Sequence, residues 1–177
     1  KHLHIVSLRT KEGIQAFLDG SADIYTINYE SLPRVCNQLF KGRRSLPFDT
    51  IVLDELDNCK NPASKRIREL RKHIHKIPRR WGMTGTPVSN NYLDLFAQIR
   101  ILDDGKLFGK FFGRWRDRYF INITPYADYP TYELNPLAKG VLEKSIADMA
   151  IVLPSEKYLK IPPVRVIDVN VSLPVSA

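Results

Sequence analysis

The chain has 177 residues, of which 44% are hydrophobic and 26% charged, which suits one globular domain with a substantial core. No apolar run approaches membrane-spanning length and no signal-peptide pattern opens the chain. The formal charge is +8, and the stretch from Lys60 to Arg80 carries all of it, with nine Lys or Arg against the single acid Glu69. A local basic block points to a polyanion partner, most simply nucleic acid, although a solvated helix face has the same composition. Cys36 and Cys59 are the only cysteines and form no C-x-x-C, so two reduced thiols in a cytosolic compartment are expected. Lys1 stands where a methionine would begin a whole protein, and a strand pattern follows at once, so the chain is expected to start inside a domain.

His2–Leu8 alternates polar and apolar residues and predicts a strand. Lys11–Leu18 predicts a short helix stopped near Gly20, and Ala22–Tyr29 is rich in β-formers. Leu32–Phe40 predicts a helix and Lys41–Phe48 a loop. Ile51–Leu53 is a short apolar run ending in Asp54 and Glu55, the pattern of a buried parallel strand with acids at its carboxyl end. A helix should follow, capped by Asn61 with Pro62 at its first position, its stripe formed by Ala63, Ile67, Leu70, Ile74 and Ile77. Arg80–Thr84 predicts another strand, Gly85–Pro87 a turn, and Asn91–Leu102 a helix capped by Ser89 or Asn90. Strands alternating with helices imply an α/β fold with an open, mostly parallel sheet covered on both faces. Ligands of such sheets bind beyond the carboxyl ends of the strands, which brings Asp54–Glu55 and Thr84–Thr86 to one crevice.

The character changes after Asp104. Phe108–Phe120 interleaves Phe, Trp and Tyr with Lys and Arg. These aromatics could stack on bases, but their density favours packing against one another. Pro136–Ala150 predicts a helix and Val164–Leu173 a last strand. His73 and His75 lie two apart, so they do not share a helix face and make a poor metal pair.

Two segments carry chemistry. Magnesium is a hard cation that prefers oxygen ligands and keeps several waters, so Asp54 at a strand end could hold it through water. The adjacent Glu55 could orient a water for attack on a phosphoryl group, a reaction that needs positioning and charge neutralisation more than covalent chemistry. The second segment is Met83–Asn91, where Thr84 and Thr86 flank Gly85 ahead of Pro87. Each segment alone is also what a plain strand terminus and a plain strand-to-helix turn look like.

Together, and in this order, they resemble the first motor lobe of the switch/sucrose-nonfermenting (SWI/SNF) type of translocase within helicase superfamily two, with phage and bacterial members most similar. The resemblance rests on Asp54-Glu55, then Lys60-Asn61 and Ser64, then Met83-Thr84-Gly85-Thr86-Pro87 with Asn90. Ile24–Glu30, ending in Asn-Tyr-Glu, is similar ahead of them, as are Asp94–Leu102 and Gly113–Phe120 behind. The resemblance implies a partial RecA-like (P-loop NTPase) lobe over residues 1–104, a helical protrusion over 105–163, and over 164–177 a strand leading to a second lobe. It implies ATP and Mg2+ as cofactors, Asp54 as the magnesium residue and Glu55 as the water-activating one. Thr84, Gly85 and Thr86 would couple nucleotide state to DNA grip. Double-stranded DNA would be the track, met by Lys60, Asn61, Ser64, Lys65 and Arg68. The second RecA-like lobe of the same chain would be a partner, and the setting a bacterial or phage-infected cytoplasm.

Two departures stand out. The nearest lookalike of a phosphate loop, Gly105–Phe111, has three residues between its glycines instead of four, and Phe111 where Ser or Thr is needed. The loop is therefore expected upstream of Lys1, and residues 1–177 alone are expected to be inactive. Asp57 stands where relatives carry His, Gln or Ser. A non-enzymatic basic nucleic-acid-binding module of the same fold and a strand-separating helicase are the alternatives.

Overall fold

The computed structural model describes residues 2–85, 91–151 and 153 of the chain. Strand β1 (Ile5–Ser7) leads into helix α1 (Lys11–Asp19). The Thr10 hydroxyl caps α1 by accepting from the Gly13 amide, and Gly20 closes it in the left-handed region at φ 63°. Gly13 is where α1 meets β1, since a Cβ there would fall 1.9 Å from the Ser7 carbonyl oxygen. Strand β2 (Ile24–Thr26) runs parallel to β1, with Ile5 opposite Ile24 and Ser7 opposite Thr26.

The predicted helix over 32–40 is two structures. Helix α2 (Leu32–Val35) widens into a π turn over Cys36–Phe40, closed by a 2.9 Å bond from the Lys41 amide to the Cys36 carbonyl. The wider turn brings Cys36, Leu39 and Phe40 to one side, where they are buried with Leu8, Phe17 and Val35. Phe40 stacks on Phe17 at 5.8 Å and meets Phe48 edge-on.

Strand β3 (Thr50–Leu53) and strand β4 (Arg79–Gly82) form a second parallel pair, Thr50 opposite Arg79 and Leu53 opposite Gly82. Between them lies helix α3 (Lys65–Arg71), shorter than the apolar stripe predicts. It starts at Lys65 because the Asn61 side chain accepts from the Ala63 amide and closes a separate turn, which leaves Ala63 exposed. It stops at Arg71, and Ile74–Lys76 continues as a 3-10 turn. The rest of the stripe is as expected: Ile67, Leu70, Ile74 and Ile77 are all buried and share a core with Leu53, Leu56 and Ile101.

The described strands form two separate parallel pairs and one antiparallel hairpin, not a single continuous sheet. A cavity of about 520 Å³ lies between β2 and β3, walled by Ile24, Thr26, Ile27, Ile51 and Leu53. The expectation that both sheet faces are covered does not hold among the described residues. Ile51 and Leu53 point into the core, whereas Val52, Trp81 and Ile5 are exposed.

Asn91 caps the 3-10 turn Tyr92–Asp94 that leads into the next helix, its side chain accepting from the Leu93 amide. Helix α4 (Leu95–Asp103) packs on the core beside β4. Helix α5 (Phe112–Tyr119), the antiparallel strands β5 (Phe120–Asn122) and β6 (Tyr132–Leu134), and helix α6 (Pro136–Ala147) complete the fold. Trp115 is their centre. Its ring lies 5.1 Å from Phe120 and 5.3 Å from both Phe96 and Phe108. Most aromatics of 108–120 are thus core, with Phe111 and Phe112 left at the surface. The predicted strand Val164–Leu173 lies outside the described residues, as do Thr86, Pro87, Ser89 and Asn90.

Candidate nucleotide and nucleic-acid site

β3 is apolar up to Leu53 and then ends in two exposed acids. Asp54 accepts the Glu55 amide on Oδ1 at 3.0 Å. Glu55 lies in the left-handed region, at φ 48° and ψ 62°. A residue with a Cβ gives up about 1–2 kcal/mol in that conformation, so neighbours must hold it. Three contacts do so. The Tyr29 hydroxyl donates to the Asp54 carbonyl at 2.8 Å. The Leu56 amide donates to the Met83 carbonyl at 2.8 Å, and the Met83 amide to the Leu53 carbonyl at 2.9 Å. The Glu55 carbonyl accepts the Asn58 amide at 2.9 Å and so opens a 3-10 turn over Leu56–Cys59.

The β3–β4 ladder therefore runs past both strand ends and joins the acidic turn to Met83, which Thr84 and Gly85 follow. Asp54, Glu55, Thr84 and Gly85 stand at one sheet edge, as the strand order predicts. Gly82 allows this approach: a Cβ there would meet Leu56 Cδ2 at 2.6 Å. Among the described residues no three His, Cys, Asp or Glu side chains form a metal cage. Two exposed carboxylates at a strand end fit magnesium that keeps its own waters, and fit a dehydrated transition metal poorly.

The basic block follows the acidic turn in the chain. Arg66 pairs with Glu30 at 3.0 Å, Lys72 with Glu69 at 2.7 Å, and Arg79 with Asp49. Lys76 is spent on the Phe40 carbonyl and Arg80 on that of Ile77. Lys60, Lys65 and Arg68 remain exposed, with no ion pair among the described residues. Asn61 is exposed too, its side chain engaged in the turn described above. Ser64 stands apart from the other four. Its hydroxyl is buried with no hydrogen-bond partner among the described residues, so in this conformation it is not offered to a polyanion. His73 is buried against the Phe40 ring while His75 is exposed, so the two do not act as a pair. Burial first, and then Lys76, lowers the His73 pKa.

Both cysteines are buried and free. Burial pushes the Cys36 thiol up to about 12 and the Cys59 thiol up to about 11, so neither is a nucleophile at neutral pH. Tyr29 was missed as a neighbour of the site, although the Asn-Tyr-Glu likeness marked its segment. The available signal was a tyrosine at the carboxyl end of a strand neighbouring the acidic one.

Parallel strand pairs backed by helices, with an acidic pair beside a threonine–glycine segment at their carboxyl edge, define the RecA-like α/β class. The SNF2-related domain model matches residues 5–171. The chain belongs to that family, as the ordered Asp-Glu and Thr-Gly-Thr-Pro motifs implied. It is 29% identical over 174 residues to protein p41 of Acyrthosiphon pisum secondary endosymbiont phage 1, covering 94% of this chain and 37% of that protein. It is 32% identical over 118 residues to the Saccharomyces cerevisiae DNA repair and recombination protein RDH54, covering 66% of this chain and 12% of the relative. The described fold matches the Sulfolobus solfataricus SWI2/SNF2 ATPase core in complex with dsDNA with a TM-score of 0.60 and 24% identity, over 83% of this chain and 27% of that one. The chain thus spans little more than a third of the phage relative and about an eighth of the yeast one. No helix among the described residues is long and apolar enough to cross a membrane.

Proposed function

We propose that this chain is the back part of the first motor lobe of an ATP-driven translocase that moves on duplex DNA in a bacterial or phage-infected cytoplasm. The observation that carries the reading is the 2.8 Å bond from the Leu56 amide to the Met83 carbonyl, which joins the acidic turn to the threonine segment at one sheet edge. In this reading residues 1–104 belong to the lobe, 105–163 to a helical protrusion and 164–177 to the connection with a second lobe. The phosphate loop is supplied by sequence upstream, so residues 1–177 alone do not turn over ATP.

Asp54 holds Mg2+ through its waters. The metal, when bound, neutralises charge on the phosphates. Glu55, turned away from Asp54 by its left-handed backbone, orients the attacking water and accepts its proton. Thr84, Gly85 and Thr86 sense the nucleotide and pass its state to the DNA-facing side. Lys60, Asn61, Lys65 and Arg68 meet DNA phosphates, which sets register on the duplex without reading sequence. Ser64 joins them if its hydroxyl rotates outward on binding. Asp57 accepts hydrogen bonds from the threonine segment and leaves activity intact.

The test is ATP hydrolysis by the intact protein with and without duplex DNA. DNA should accelerate turnover, and Glu55→Gln should abolish it while sparing nucleotide binding. DNA binding without any ATPase would point to the non-enzymatic module. Strand displacement by the active protein would mark it as a helicase.

A further inference from the structure

Tyr29 opens a 3-10 turn, Tyr29–Ser31, just past β2. Its ring packs on the core that includes Leu53 and Cys59. Its hydroxyl donates to the Asp54 carbonyl at 2.8 Å, and the Cys59 Sγ lies 3.9 Å from the same oxygen. Asp54 begins the acidic turn and Cys59 ends it, so one phenolic oxygen touches both ends. Glu55, with its unfavourable left-handed backbone, lies between them. The Asp54 carbonyl and the Glu55 amide belong to one peptide plane, which is rigid. Holding the carbonyl holds the plane, and the plane sets the direction in which Glu55 leaves the strand. The neighbouring Glu30 reaches Arg66 on α3 at 3.0 Å and steadies the Tyr29 turn from its other side. Burial first, and then Cys59, raises the Tyr29 pKa, so the hydroxyl keeps its proton and remains a donor.

We propose that Tyr29 is a positioning residue of the acidic site: its hydroxyl clasps the Asp54–Glu55 peptide and so aims the Glu55 carboxylate, without itself touching nucleotide. This inference rests on the motor reading given above for the role of Glu55, while the clasp itself is measurable without catalysis.

The experiment uses the intact protein and Tyr29→Phe, which keeps the packed ring and removes the donor. Loss of one such bond is expected to lower DNA-stimulated kcat about tenfold, with the KM for ATP within about twofold of the parent. Amide hydrogen exchange at Glu55 and Leu56 should quicken about tenfold by the same loss. The melting temperature should fall by no more than a few degrees. Placing 4-aminophenylalanine at position 29 returns an N–H donor to the same spot and should restore both turnover and protection. Parent-like kcat and exchange in Tyr29→Phe would overturn the proposal, as would losses that 4-aminophenylalanine leaves unrepaired. A parent protein without ATPase would instead sink the motor reading, and the exchange comparison would still decide the clasp.

Discussion

Gly13 and Gly140 are both helical, yet alanine is expected to act in opposite directions at the two positions. Helix propensity favours Ala over Gly by about 1 kcal/mol in a helix interior. Around Gly140, in α6, nothing among the described residues lies within 4 Å of where a Cβ would sit. Gly140→Ala should therefore raise stability by about 0.5–1 kcal/mol, chiefly through the unfolded chain. At Gly13 the added Cβ would lie 1.9 Å from the Ser7 carbonyl oxygen and 2.6 Å from its carbon. An ordinary carbon–oxygen contact is about 3.3 Å, so α1 and β1 must part by roughly 1.4 Å. The obstacle is backbone, which cannot rotate aside, and the Thr10 hydroxyl ties the start of α1 to both Ser7 and Gly13. Overpacking costs about 1–3 kcal/mol, and this geometry belongs at the upper end. It outweighs the propensity gain and leaves a net loss of about 2 kcal/mol. In a domain of this size that corresponds to a melting temperature lower by about 4–8 °C, against a rise of about 1–4 °C for Gly140→Ala. Differential scanning calorimetry of the two variants of the intact protein, side by side, reads the sign directly. An unchanged or raised melting temperature for Gly13→Ala would refute the close approach of α1 to β1.

Replacing Lys60, Lys65 and Arg68 together by Ala should weaken binding to duplexes of unrelated sequence alike, and flatten the plot of log affinity against log salt by about 0.9 for each phosphate no longer neutralised; fluorescence anisotropy at several salt concentrations checks this, and an unchanged slope would remove the three from the interface. His73 is held below its ordinary value of 6.5 by burial and then by Lys76, so below that pH the unfolded chain binds a proton that the folded chain does not. Stability should therefore rise with pH up to about 6.5. His73→Phe should flatten that rise in urea titrations between pH 5 and 7, a range that brackets the ordinary imidazole pKa.

Much of the fold was legible because its signals are local. Gly20 after an apolar period marks the end of α1, and in the structure it closes the helix in the left-handed region. The acidic strand was legible from an apolar run ending in Asp-Glu. The π turn at Cys36–Phe40 was not, because what widens the helix is the mutual packing of Phe40, Phe17 and Phe48, residues far apart in sequence. Ala63 was read into the α3 stripe because spacing cannot register the Asn61 side chain diverting the chain into a turn of its own. The outward-facing Val52 and Trp81 are apolar, so composition alone placed them inside. At the site, the residue types and their order were readable. The backbone of Glu55 was not, since a left-handed glutamate is imposed by contacts from Tyr29 and Met83, 26 and 28 positions away.

The missing side chain at Gly82 links two positions in the history of this sequence. The room that a methyl group would occupy there is already taken by Leu56. An alanine at 82 requires the Leu56 methyls to move aside and presses on Leu102 as well, so the residues accepted at 82 and 56 depend on one another. Substitutions at the two positions are therefore expected to be non-additive. Drift at the floor of the acidic edge is therefore easiest in coupled steps, in which the two positions exchange volume.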